Sequence, residues 1–442
     1  MASNPYLDGN FGPVSEELTS VDLRVTGTIP RELDGRLLRI GPNPVTPPDP
    51  KTYHWFLGNG MVHGLRLRGG RAEWYRNRYV RDDEVTAAKG WPVTPGPRHG
   101  MGSIANTNVI AHAGKTWAIV EAGGLPVELT SELETVTYSN FEGTLPGSFT
   151  AHPKRDPDTG ELHAVVYFPG WEYLQYLVVG TDARVRKTVN VPVPGKPMVH
   201  DCAITERYVV LLDLPVTFKP ENLEKGFPYL WDPEYGARVG LLPRNGDAAQ
   251  VRWLDVPLCY VFHPLNAYET ATGQVVLDVC RHPRMFATDQ NGPNEGRPTL
   301  DRWLLDPSSG KVSADTISDL GHEFPRHDER RIGKMIRYGY TGGLADHLGI
   351  GPIYKHDLVK GTTERHDEGA GRMFLEPVFV PRTPDAAEDD GWIMAYVYDA
   401  ASNKSDVVIL AAQDFTAGPI ATIHLPQRVP FGFHGNWVPT EG

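Results

Sequence analysis

A recurring strand–turn–strand unit constrains this chain more than any other feature. "VHGLRLRGGRAEWYRNRYVR" sets two extended runs on either side of a Gly–Gly pair. "LQYLVVGTDARVRKTVNVPV", "DRWLLDPSSGKVSADTISDLG" and "VVILAAQDFTAGPIATIHLP" repeat the plan with Gly or Asp in the turn. Further short runs rich in Val, Ile and Tyr read as strands: "TWAIVEAG", "LHAVVYF", "RYVVLLDLPV", "GQVVLDVC" and "GWIMAYVYDA". Helical periodicity is scarce, with "ENLEKG" and "PDAAEDD" the best short candidates. No Pro/Ser linker divides the chain. Divergent hairpins spread over 442 residues predict an all-β fold of the β-propeller type, one domain spanning 1–442, in which each blade is a small antiparallel sheet.

Composition narrows the function. The 46 Gly and 39 Pro are scattered, as many turns require. Net charge is −12 and no basic run reaches five residues, so a phosphate-neutralising surface for nucleic acid is excluded. The start, "MASNPYLDGNFGPVSEEL", lacks the charged and apolar regions of a signal peptide. No window approaches the ~18 apolar residues of a membrane-spanning helix. Cys202, Cys259 and Cys280 lie in apolar runs with no C-x-x-C spacing, which predicts buried reduced thiols in a cytoplasmic protein.

Four of the sixteen histidines stand out. His152 in "FTAHPKRDPDTGELHAVVYF", His200 in "PMVHDCAITERYVVLLDL" and His263 in "CYVFHPLNAYETATGQVVLDV" share one context. Each follows apolar residues and precedes a polar or turn segment and then a strong strand. His434 in "PFGFHGNW" also follows an apolar strand. If the context repeats because the blades repeat, the four rings occupy equivalent inner-strand places and converge on the axis. Four imidazoles so gathered predict a metal site, and the donor set alone does not choose between Zn, Cu, Fe and Ni. Glu121, Glu323 and Glu376, in apolar surroundings, are candidate acceptors for the second ring nitrogen of such ligands. His54 and His63 read as bordering a turn, and His99, His347, His356 and His366 as solvated.

At these residues the chain resembles the carotenoid cleavage oxygenases, non-haem iron enzymes that split conjugated C=C bonds with O2. The likeness starts at "VTGTIPRELDGRLLRIGPNP" and runs through "HWFLGNGMVHGL", the histidine segments and "EPVFVPRTPDAAEDDGW" to "PFGFHGNW". It implies a seven-bladed β-propeller, its ring closed by pairing of the N- and C-terminal segments. A cap of loops and short helices would cover the metal face. It implies one Fe(II) per chain held by His152, His200, His263 and His434, with Glu121, Glu323 and Glu376 behind the rings. Thr107 in "IANTNVIAH" stands where the family shields an open iron position. Gly432 and Gly435 would keep the chain clear of the metal, and Phe431 and Phe433 would wall the site.

Two departures bear on substrate. "LGNGM" has Leu57 and Asn59 where the family has two acids, which predicts a local turn effect. Members that cleave phenolic alkenes carry a lysine just before the first glutamate; here that residue is Val120, and no tyrosine lies between Asp82 and Met101. The expected reaction is therefore cleavage of an apolar carotenoid or apocarotenoid by O2 into two carbonyl products. The alternatives are cleavage of a stilbene or phenylpropenoid, and a metal-free propeller acting as a binding module. "KGFPYLWDPEYGARVGLL", 225–242, is a candidate for weak peripheral membrane contact, with packing inside the cap the plainer expectation.

Overall fold

The computed structural model describes residues 4–100, 102–223, 226–293, 295–344 and 350–440. His347 lies outside them. Every strand pairing among the described residues is antiparallel, and most sheets are meanders of consecutive strands. Four-stranded sheets cover 108–138, 154–192, 203–255 and 260–318. A ten-stranded sheet takes in 322–424 together with Arg24–Gly27. A two-stranded ribbon, Val216–Phe218 with Tyr229–Trp231, branches from the third sheet.

The predicted hairpins form as read. Gly60–Arg68 and Arg71–Tyr79 meet through Gly69 and Gly70, at φ 56 and 79°. A two-residue turn with both central residues at positive φ matches the strand twist, and glycine reaches that conformation without strain. Tyr208–Asp213 is buried along nearly its whole length, which its unbroken Val-Val-Leu-Leu run requires.

The two ends of the chain meet. Gly435–Pro439 pairs with Gly35–Pro42 in a five-stranded sheet, with Leu37 opposite Trp437. Arg24–Gly27 pairs with Ala421–His424.

The helical expectations were misplaced. "ENLEKG" contributes only the 3-10 turn Pro220–Asn222, and its Glu224 and Lys225 lie outside the described residues. "PDAAEDD" contributes turns. The α-helix among the described residues is Asp83–Lys89, where Asp82 caps the Val85 N–H and Gly90 ends it at φ 67°. Asp82 there and Gly90 just beyond the end are readable start and stop signals.

Candidate metal centre

Edge strands of different sheets carry the site. His152 lies two residues before Lys154–Arg155, His200 three before Ala203–Ile204, and His434 directly before Gly435–Pro439; His263 lies within Tyr260–Glu269. Three of the four thus sit just before a strand rather than on it. Two of their backbone N–H groups bond outside the ladder: His152 donates to Thr150 Oγ1 (3.2 Å), His434 to the Thr107 carbonyl (3.1 Å).

The four rings meet. All are buried, and their ligand nitrogens lie within 4.8 Å of one another. Nε2 to Nε2 distances are 3.0 Å for His152–His200, 3.1 Å for His200–His263 and 3.2 Å for His263–His434.

Carboxylates set the tautomers of His263 and His434, and a third lies against His200 without hydrogen-bond geometry. His263 Nδ1 lies 2.5 Å from Glu323 Oε2, His434 Nδ1 2.9 Å from Glu376 Oε1, and His200 Nδ1 2.6 Å from Glu121 Oε2. A ring that donates from Nδ1 keeps a lone pair on Nε2. Burial pulls His434 down to about 3, and Glu376 only partly offsets it. Burial and the neighbouring imidazoles hold His152 well below the ordinary histidine range. His263 is displaced upward, the Glu323 carboxylate outweighing burial. One added proton could bridge a single Nε2 pair and would leave the other lone pairs facing each other. A cation at their centre satisfies all of them. Nitrogens about 2.1 Å from one ion lie about 3.0 Å apart at right angles and about 3.4 Å apart in a tetrahedron. Two of the three edges are nearer the first value and the third lies midway. The residues therefore fit a metal ion that keeps further positions open.

Each glutamate has a second anchor that the sequence did not reveal. Glu121 Oε1 accepts from the Tyr167 hydroxyl (3.0 Å). Glu323 accepts from His282 Nε2 (2.7 Å) and from the Phe324 N–H (2.7 Å). Glu376 accepts from the Gly435 N–H (2.8 Å) and faces Arg326 Nη1 at 3.3 Å. Burial raises the Glu376 carboxyl, but Arg326 and His434 outweigh it and bring it down to about 2. His152 lacks a glutamate: its Nδ1 faces Asp201 Oδ2 at 3.8 Å, and Asp201 pairs with Lys154 at 2.8 Å. The signal for that pair was present in sequence, an acid directly after His200 and a lysine two places after His152.

The cluster sits between two cavities. On one side lies a cavity of about 1200 Å³ that takes in His200, His263 and His434. Its wall includes Trp55, Phe56, Phe227, Phe262, Phe431 and Phe433, and Thr107, Val120 and Glu121 line it too. Thr107 donates its hydroxyl to Asn106 Oδ1 (2.9 Å). On the other side a polar cavity of about 380 Å³ takes in His152, His263 and His434.

Several expectations change. Gly432 and Gly435 are required by close backbone approach: a Cβ on Gly435 would lie 2.2 Å from the Leu38 carbonyl oxygen, and one on Gly432 2.8 Å from Gly41 Cα. His356 and His366 are buried, not solvated. His356 bonds Thr341 and Thr363, and His366 pairs with Glu368 against Phe374. His54 caps a 3-10 turn as read, but His63 lies inside Gly60–Arg68 and bonds the Tyr75 hydroxyl. Asn59 holds its turn as foreseen, its amide nitrogen 3.0 Å from Asp82 and 3.1 Å from Glu84. In the 225–242 stretch, Phe227 and Tyr229 are buried, so packing dominates there.

The model of the retinal pigment epithelial membrane protein family matches residues 11–439. A carotenoid cleavage oxygenase of Mycobacterium tuberculosis is 46% identical, over 99% of this chain and 98% of the relative. The carotenoid 9,10(9',10')-cleavage dioxygenase 1 of Arabidopsis thaliana is 34% identical, over 99% and 90%. The crystal structure of Pseudomonas brassicacearum lignostilbene dioxygenase superposes with a TM-score of 0.90 at 31% identity, covering 99% of this chain and 98% of that one.

Proposed function

Because the chain belongs to the carotenoid cleavage oxygenase family, an oxidoreductase family with dioxygenase members, we propose that it is an Fe(II) dioxygenase that cleaves a conjugated C=C bond of an apolar carotenoid or apocarotenoid. The observation that carries this reading is the set of four inward-facing Nε2 atoms beside a large, mostly apolar cavity. At about 1200 Å³ the cavity exceeds the ~300–1,000 Å³ typical of ligand pockets, as a long polyene requires. His152, His200, His263 and His434 would hold one iron per chain. Iron bound there would supply the redox chemistry that makes O2 reactive toward an alkene. The C=C bond breaks and each carbon takes one oxygen atom, so no external reductant is needed.

The protein's own part is positioning. Glu323 and Glu376 fix two rings, Glu121 lies against a third, and all three offset the ion's charge. The aromatic walls align the polyene and exclude water from the reacting bond. Thr107, in the wall of the same cavity, would narrow the approach to the histidines. No general acid or base is required.

The fold reading goes with this function. Five separate antiparallel sheets, with the ten-stranded sheet counted as two blades, support a seven-bladed propeller. Pairing of Gly435–Pro439 with Gly35–Pro42 supports closure of the ring as one domain. Three free buried cysteines accord with the cytoplasm, and no helix among the described residues is long and apolar enough to cross a membrane.

A second reading, cleavage of a stilbene or phenylpropenoid, is favoured by the likeness to the lignostilbene dioxygenase. Val120 in the cavity wall offers a phenol no cation, which weighs against it. The test is aerobic incubation of iron-loaded protein under 18O2 with matched apocarotenals and stilbenes. Two labelled carbonyl products from the apocarotenal are expected. Labelled aldehydes from the stilbene alone would overturn the substrate reading, and no labelled product would overturn the reaction.

A further inference from the structure

Glu323 and Phe324 are consecutive residues on His322–Arg326, and both reach the histidine cluster. On a regular strand consecutive side chains point to opposite faces. Here the strand bulges: three steps from Glu323 to Arg326 meet two on the partner strand, Gly342 to Tyr340. Phe324 sits in the bulge at φ 51°, a left-handed conformation that glycine takes freely and an aromatic residue takes under strain. Its N–H donates to Glu323 Oε2 (2.7 Å), the oxygen that lies 2.5 Å from His263 Nδ1. The bulge thus puts Glu323 behind His263 and lays the Phe324 ring along it, 5.4 Å between centroids and 28° between planes. The same ring lies 5.2 Å from the ring of His434.

That ring stands between the two cavities. His263, His434 and Phe324 are the residues that line both. Two of these are the imidazoles read as metal ligands, whereas Phe324 has no ligand atom and serves both cavities as wall. The smaller cavity carries Lys154, Arg155, Asp201 and Glu329, and a space of about 380 Å³ so lined holds water. The larger, mostly apolar cavity is where the alkene would react, and a reacting site gains from excluding water.

Backbone strain persists only where the surroundings impose it, and at Phe324 what it secures is the position of the ring. We propose that Phe324 is the partition of the site: packed on His263 and His434, its ring closes the gap between the polar cavity and the reacting bond. With an alkene filling the larger cavity, no water then reaches the ion from the polar side. Phe324 is in this sense a positioning residue. The inference rests on the metal reading of the four histidines and on the alkene reading of the larger cavity.

The test reads water at the metal. Cu(II), which imidazole sites bind tightly, is loaded into the full-length chain. An apocarotenal is added until tryptophan fluorescence stops falling, and pulsed EPR in D2O detects deuterium beside the ion. The unmodified chain should lose its deuterium modulation when the apocarotenal binds. Phe324→Gly suits the left-handed turn and keeps the N–H to Glu323, so it removes the ring alone, and it should retain the modulation with the apocarotenal bound. Phe324→Leu, which refills the gap, should restore most of the loss. The Cu(II) hyperfine pattern should be the same in all three, because the four imidazoles are untouched; a changed pattern in Phe324→Gly would make the ring a support for the ligands and overturn the partition. Phe324→Ala, which keeps the strain without the ring, should unfold at lower urea than Phe324→Gly, and the reverse order would overturn the strain argument. Modulation lost in Phe324→Gly, or retained in the unmodified chain, would overturn the partition while leaving the metal site standing. Failure of the unmodified chain to bind Cu(II) would overturn the metal reading, and absence of fluorescence quenching the substrate reading, each taking the partition with it.

Discussion

Replacing Glu376 by Gln puts the account under a strain that can be worked through atom by atom. Glu376 Oε1 accepts from His434 Nδ1 at 2.9 Å and Oε2 from the Gly435 N–H at 2.8 Å. Both partners donate. Glutamine keeps the shape but has one acceptor oxygen, so one of those N–H groups must face an NH2. Either the His434 ring loses the bond that orients it, or the N–H that starts Gly435–Pro439 loses its acceptor. A buried donor left unpaired costs about 1–3 kcal/mol. Loss of the acceptor behind a metal-bound histidine weakens metal binding by about 10–100-fold, or roughly 1.4–2.7 kcal/mol. The two ranges overlap, and loss of a negative charge beside the ion acts in the same direction. Glu376→Gln should therefore bind Fe(II) about 10–100-fold more weakly in chelator competition, without losing the ion altogether, because the substitution leaves His152, His200 and His263 and the groups around them untouched. An unchanged competition midpoint would refute the reasoning that Glu376 acts on the metal through His434.

Acid should unfold the protein steeply. Burial holds His54, His63, His327 and His356 at about 3, and His163 and His322 at about 4. Below the ordinary histidine value the unfolded chain binds protons that the folded chain refuses, so stability falls as pH falls from about 6.5 toward these values, by about 1.4 kcal/mol per pH unit for each ring. A urea midpoint that is flat between pH 7 and 5 would contradict this. Asn59→Asp would set a third carboxylate against Asp82 and Glu84 where an amide now donates, and a lower Tm, equivalent to about 1–3 kcal/mol, is expected; an unchanged Tm would remove that role. Gly435→Ala would drive a Cβ into the Leu38 carbonyl, so a loss of about 3 kcal/mol, at the upper end of overpacking costs, is expected by chemical denaturation. Wild-type stability would show that the strand pairing tolerates the shift.

Local signals were legible and long-range ones were not. The hairpins were readable because turn glycines and runs of β-branched residues act over a few positions, as at Gly69 and Gly70. Asp83–Lys89 was missed although Asp82 and Gly90 mark its ends, because seven residues carry too little apolar periodicity to stand out. The four histidines were legible as a set through their shared context, and they do meet. Their supports were not: Tyr167 reaches Glu121 across 46 residues and His282 reaches Glu323 across 41. His356 was misread for the same reason, its Thr341 partner lying on a neighbouring strand. The glycines around His434 were recognised as necessary, but the crowding comes from Gly35–Pro42, a strand almost the whole chain away.

Iron content measured with and without one of the four rings tests the central claim most directly. After anaerobic loading with Fe(II) and removal of excess, the unmodified chain should hold one iron, and His200→Ala should hold none and form no cleavage product. A His200→Ala protein that folds and retains one iron per chain would contradict the assignment of these imidazoles as the ligands.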